Sequence, residues 1–319
     1  MDTSSSSPSP PQDSLPYLES WRLGPSNTNF YTRVYSPVAG TAARAILVFL
    51  HGAAEHCGRY TEFHAALARE HAITVFAYDL RGFGLTAQDE AHRSPGSRYG
   101  KMEAREHAED AVWAVGEARN QSCSSTKELP LFLMGSSFGA TTVLGLLTDP
   151  SSENFVASQL DGAILSSVTL ALADPMPLPA IWLLRLLAYL FPHALFPVNN
   201  DPAKLTRNAA AGDAYLKDPL VHSPGSFRYL MTMMDLGERI LSARTEVRVP
   251  MLFLFGDGDR QVHFGTAKKF YDQLVAKEKE WITYADGGHE LHNEPDGIKE
   301  KMVLDIHHHP ATTSNGCQD

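Results

Sequence analysis

Only three of the 319 residues are cysteine, Cys57, Cys123 and Cys317, and they are far apart and odd in number. That supplies no disulfide framework and suits a reducing compartment. Cys57 reads as a small apolar side chain. No basic run occurs and the net charge is −10, so nucleic acid has no electrostatic footprint to bind. Met1 to Ser14 are rich in Ser and Pro but have neither a basic start nor an apolar run, which excludes a signal peptide and reads as a disordered tail. The greasiest stretch, Pro175 to Pro192, is short, proline-rich and interrupted by Arg185, so it should not cross a bilayer. A cytosolic chain is expected.

What is present is a repeated alternation. Tyr17 to Ser36 carries aromatic and β-branched residues broken by Gly24-Pro25 and Asn27, the pattern of two antiparallel edge strands. Ala45–Leu50, Ile73–Tyr78, Leu131–Met134, Asp161–Ser166 and Pro250–Phe255 are continuous apolar runs, as strands covered on both faces must be. Helical patterns at Thr61–Glu70, Glu103–Arg119, Phe138–Leu147 and Thr266–Ala276 separate them, and a further strand is expected at Trp281–Tyr284. Asn120 to Lys127 reads as a polar linker. Crossovers of this length imply a doubly wound, mostly parallel sheet flanked by helices, with its ligand site at the carboxyl ends of the strands.

Three of those ends carry chemistry. Gly135-Ser136-Ser137-Phe138-Gly139 stands between a strand and a helix, the context a GxSxG turn needs, because two glycines let the backbone bend sharply and lift the Ser137 hydroxyl above the sheet. Asp259 follows the strand at Pro250–Phe255, and His289 follows a glycine pair after Trp281–Tyr284. Serine, aspartate and histidine in that chain order form a nucleophile, an orienting acid and a general base. Backbone N–H groups of Ala53, in the loop His51-Gly52-Ala53-Ala54-Glu55-His56, and of Phe138 would meet the charge developing on a carbonyl oxygen. This chemistry needs no cofactor.

Competing readings are bland. Small residues at 135 and 139 could serve close packing alone, and the loop at 51–56 could be an ordinary strand-to-helix connection. Asp79 and Arg81 read as a structural pair bracing a loop. Metal is not expected: His51 and His56 lack a third ligand, and His289-Glu290-Leu291-His292 lacks the histidine that a zinc helix needs at position 293.

The alternation breaks between Val168 and about Leu241. Three prolines there precede a helix that is apolar nearly all round, with Trp182 and Tyr189 available for an interface. The organisation expected is a tail at 1–14, a core at 15–167 and 242–306, a helical cap at 168–241 that admits a lipid chain and touches a membrane or droplet surface, and a frayed tail at 307–319.

His51-Gly52-Ala53-Ala54-Glu55-His56-Cys57-Gly58-Arg59-Tyr60, Asp79-Leu80-Arg81-Gly82-Phe83-Gly84, Gly135 to Gly139, Gly256 to Arg260 and Gly288 to Pro295 together resemble the monoacylglycerol lipases of the α/β-hydrolase superfamily. The resemblance runs from about Tyr17 to Leu304. It implies hydrolysis of a monoacylglycerol to fatty acid and glycerol, a mobile membrane-associating cap, and contacts from Glu55, Arg59 and His292 to the glycerol head. Ser136 and Phe138 stand where the family usually has histidine and methionine, which should reshape the pocket wall. Phe83 also replaces a common histidine. A lysophospholipase, a general carboxylesterase, a proline-type aminopeptidase and a non-catalytic receptor of the same fold are the alternatives.

Overall fold

The computed structural model describes residues 15–122, 129–151, 158–196, 201–222, 225–244 and 246–309. The tail expected at 1–14, residues 310–319 of the other tail, Cys123–Lys127 of the linker, and Cys317 lie outside the described residues. The chain opens with β1 (Leu18–Leu23) and β2 (Asn29–Tyr35), followed by β3 (Ala45–Leu50), α1 (Thr61–His71) and β4 (Ile73–Tyr78). A short α2 (Gly84–Gln88), α3 (Ala104–Ser122), β5 (Leu131–Ser136), α4 (Phe138–Thr148) and β6 (Gly162–Ser166) come next. Then follow α5 (Leu178–Leu190), α6 (Ala209–Lys217), α7 (Phe227–Ser242), β7 (Met251–Gly256), α8 (Phe264–Gln273), β8 (Lys279–Tyr284) and α9 (Ile298–His308).

The strands make one sheet in the order β1-β2-β4-β3-β5-β6-β7-β8. Pairing is antiparallel for β1 with β2 and for β2 with β4, and parallel from β4 through β8. Strand geometry sends alternate side chains to opposite faces. Ile46, Val48 and Leu50 therefore enter one core with residues of α3, α4, α7 and α8, while Ala45, Leu47 and Phe49 enter a second core with residues of α1 and α9. Both faces are covered, which is why the strands read as unbroken apolar runs.

From β3 the chain moves outward to β4, then returns past β3 to β5 on its other side. The crevice between the carboxyl ends of β3 and β5 is thus a topological switch point, the place where such sheets hold ligands.

Two expectations need correction. The tail expected from position 307 is not frayed at its start: α9 continues through His308, with the His307 ring 4.3 Å from that of His71. Asp79 and Arg81 do not pair. Asp79 accepts from the N–H groups of Cys57 and Leu85 at 2.9 and 2.7 Å, whereas Arg81 clamps Asp110 at 2.9 and 2.7 Å. Each braces a different loop, because the turn after Asp79 carries Arg81 away toward α3.

Candidate active site

Ser137 sits between β5 and α4 with φ 53° and ψ −119°, a conformation that non-glycine residues rarely adopt. The surroundings leave it no alternative. A Cβ at Gly135 would stand 2.3 Å from the Ala140 nitrogen, and one at Gly139 would stand 2.3 Å from the Leu50 carbonyl oxygen. Glycine is therefore needed at both positions for strand and helix to approach, and the turn between them pushes the serine hydroxyl out over the sheet.

His289 reaches that hydroxyl from the loop after β8. Its Nε2 lies 2.9 Å from Ser137 Oγ, and its Nδ1 lies 2.8 Å from Asp259 Oδ2. The other carboxylate oxygen of Asp259 accepts from the backbone N–H groups of Gln261 and Val262 at 2.8 and 3.0 Å, which fixes the acid in place. Ser167 Oγ donates to the His289 carbonyl at 2.8 Å and holds the base's own backbone. Burial lowers the basicity of the His289 ring, but the charge and hydrogen bond of Asp259, together with Glu290 and Glu55, outweigh it and leave the pKa raised above the ordinary histidine value. A hydrogen-bonded row of this kind makes the serine oxygen nucleophilic and the ring a proton acceptor.

The loop after β3 faces the same point. Ala53 borders the cavity beside Ser137. Phe138 is the first residue of α4, where helix geometry leaves the N–H without an intrahelical partner. Its side chain points the other way, edge-on to the rings of His107 and Tyr229 in the core. Phe138 therefore does not reshape the pocket wall, contrary to expectation, because the elbow directs the residue after the serine inward; Ser136 does border the cavity.

A cavity of about 280 Å³ opens over Ser137 and His289. Leu172, Met176, Phe196, Leu205, Leu230 and Met233 form an apolar wall, and Glu55, Arg59 and Glu290 form a polar one. Glu55 Oε1 accepts from Gly52 N and from Tyr60 Oη, both at 2.6 Å, and Glu55 Oε2 pairs with Arg59. Arg59 also grips Glu290 with two hydrogen bonds, of 2.8 and 2.9 Å, and lies 4.8 Å from the centre of the Tyr215 ring. Burial would raise the Glu290 pKa, yet the Arg59 guanidinium, the His292 ring and the hydrogen bonds from Arg59 and Asn293 hold it well below the usual carboxylate range.

His292, expected beside Glu55 and Arg59 at the head group, is not among the residues bordering this cavity. Its ring stacks on Tyr60 at 4.0 Å, and burial lowers its pKa to about 4. It backs the polar wall instead of facing the opening. His51 is engaged as well, with Nδ1 2.8 Å from the Gly52 carbonyl and Nε2 accepting from Leu80 N at 2.8 Å.

Two residues of the site escaped the sequence reading. Thr169 Oγ1 lies 3.2 Å from Ser137 Oγ, and Glu290 closes the polar wall beside the base. Glu290 has a signal, adjacency to His289, which the likeness of His289-Glu290-Leu291-His292 to a zinc helix obscures.

The sheet order, the elbow and the hydrogen-bonded row define an α/β-hydrolase-fold serine hydrolase. The family model described as serine aminopeptidase, S33, matches residues 41–296, and the chain belongs to that family. It is 27% identical over 300 residues to the monoglyceride lipase of Rattus norvegicus, covering 93% of this chain and 90% of the rat protein. The monoacylglycerol lipase of Mycolicibacterium smegmatis is 28% identical over 271 residues, covering 83% of this chain and 87% of that one. Among solved structures, a soluble variant of monoglyceride lipase from Saccharomyces cerevisiae in complex with a substrate analog superposes with a TM-score of 0.78 at 20% identity, over 94% of this chain and 97% of that one. The fold and the resemblance to monoacylglycerol lipases expected from the motifs are borne out.

Proposed function

We propose that this protein hydrolyses monoacylglycerols to a fatty acid and glycerol through an acyl-enzyme. Ser137 Oγ attacks the ester carbonyl while His289 Nε2 takes its proton, and Asp259 holds the ring and stabilises the imidazolium. The N–H groups of Ala53 and Phe138 receive the developing oxyanion. The imidazolium then protonates the leaving glycerol oxygen. Water, deprotonated by the same ring, attacks the acyl carbonyl, releasing the acid and restoring the serine.

The single observation that carries this reading is the 2.9 Å and 2.8 Å row from Ser137 through His289 to Asp259 at the floor of a mainly apolar cavity. The named activities of the rat and mycobacterial relatives support the substrate class. Residues 168–241 act as the cap over that cavity. Seven large apolar side chains at and just beyond α5, Leu178, Trp182, Leu183, Leu186, Tyr189, Leu190 and Phe191, are more than half exposed, which supports docking on a lipid surface. No described helix is long and apolar enough to cross a membrane, so contact would be peripheral. Glu55 and Arg59 meet the glycerol head at the polar wall.

Ser137→Ala tests the chemistry. Turnover of monooleoylglycerol should fall by about four to six orders of magnitude with the melting temperature preserved. Substantial hydrolysis by pure, folded variant would overturn the assignment of the nucleophile.

A further inference from the structure

The polar wall contains more negative than positive charge, and its arrangement is specific. Arg59 is the only lysine or arginine bordering the cavity among the described residues. Its Nη1 is taken by Glu55 and Glu290, its Nη2 by Glu290, and its face stands over Tyr215. Those bonds take three of the guanidinium's five N–H donors, and the two carboxylates more than offset its single positive charge, so little net attraction is left for a phosphate. Glu55 accepts from Gly52 N, Tyr60 Oη and Arg59 and so offers its carboxylate to the same cation. Two carboxylates therefore face one cation at the end of the cavity where the alcohol part of an ester must lie, beside His289.

Glu290 is held where it can do this. Its N–H donates to the Leu205 carbonyl at 2.8 Å, and Asn293 Nδ2 donates to its Oε2 at 2.7 Å. Its side chain is almost wholly buried. It can neither swing away from Arg59 nor be screened effectively by salt.

We propose that Glu290 sets head-group selectivity: by occupying Arg59 from the side of His289, it withholds the cavity's cation from an anionic head group, so esters of neutral polyols are accepted and phosphate-bearing ones rejected. The proposal rests on the reading of the substrate as an ester of glycerol. It adds to that reading the charge class of the alcohol part and the residue that imposes it.

The test uses the full chain, monooleoylglycerol, 1-oleoylglycerol 3-phosphate and p-nitrophenyl butyrate. The wild-type protein should favour the neutral lipid. Glu290→Gln removes one of the two negative charges that offset Arg59 and should raise the ratio of kcat/KM for the phosphate over the neutral lipid by about tenfold, chiefly through KM, as expected for removing one charge several ångströms from another in a partly polar site. A purely structural role would depress all three substrates alike. An unchanged ratio in a folded variant, or a wild-type protein that hydrolyses both lipids equally, overturns the proposal.

Should Glu290→Gln fail to fold, the wild-type protein still decides the matter. Glycerol should inhibit p-nitrophenyl butyrate hydrolysis more strongly than glycerol 3-phosphate does, and equal or stronger inhibition by the phosphate overturns the proposal. If the butyrate is turned over but monooleoylglycerol is not, the substrate reading fails, while the two inhibitors continue to report on the cavity's charge preference independently.

Discussion

Two helices of nearly equal greasiness meet opposite fates. Every residue of α4, Phe138–Thr148, is buried between the sheet, α3 and α7. In α5, Leu178–Leu190, only Leu184 and Ala188 are buried, a pair one turn apart that packs against Met231 of α7, while Trp182 and Tyr189 are 73% and 79% exposed. A helix that is apolar all round is normally a core helix. The contrast shows that hydrophobicity in the sequence does not say what will cover a helix. The core covers α4, whereas most of α5 faces outward.

The sharpest way to break the comparison is at the elbow that anchors α4. Gly139→Val would drive its side chain toward the Leu50 and His51 carbonyl oxygens, 2.3 and 2.6 Å from the Cβ alone. Esterase kcat should fall at least about a hundredfold even where the protein folds, since the displacement reaches Ser137. Activity near that of the parent would show that the elbow is not constrained as described. Next in size, Leu144→Ala in α4 should cost about 2–5 kcal/mol in urea unfolding, and Leu186→Ala in α5 less than about 0.5 kcal/mol. Similar losses at the two sites would erase the distinction.

Trp182→Ser combined with Leu186→Ser should leave the melting temperature in place. Binding to phospholipid vesicles should weaken by at least about tenfold, since a single fully buried apolar side chain contributes about 1.5–3 kcal/mol. Long-chain turnover should suffer more than short-chain turnover, and equal losses on both would make α5 a folding element. The smallest effect concerns the floor. His289 must be neutral to accept a proton, and Asp259, Glu290 and Glu55 raise its pKa against the opposing pull of burial. The acid limb of p-nitrophenyl butyrate hydrolysis should therefore lie above the ordinary histidine value, and Glu290→Gln should move it down. A limb that does not move would show that the Glu290 charge is not felt at the ring.

What the sequence disclosed is what local rules govern. Apolar runs of strand length, glycines at 135 and 139, and polar residues just beyond strand ends are each recognisable within a few positions, so the sheet and the row Ser137, His289, Asp259 were legible. Of the polar wall, Glu55 and Arg59 were expected only through the family resemblance, and Glu290 was not expected at all. Arg59 and Glu290 are 231 positions apart, and no pattern in either neighbourhood announces that a guanidinium will be shared. Two directions were also hidden. Phe138 turns inward because of the serine's backbone angles, and His292 turns behind Tyr60 because the short helical turn at Leu291–Asn293 carries it there. The sequence reading missed α9, although Met302, Val303 and Ile306 close the second core.

The bond from Glu290 N to the Leu205 carbonyl joins the loop carrying the base to the segment overhead, and Arg207 strengthens the seam by pairing with Glu294 at 2.8 Å. A doorway needs one fixed jamb. With this edge stitched down, the entrance is expected to widen on the side of α5, and amide exchange on adding detergent micelles should speed up along Leu178–Leu190 while Leu205–Arg207 stays protected.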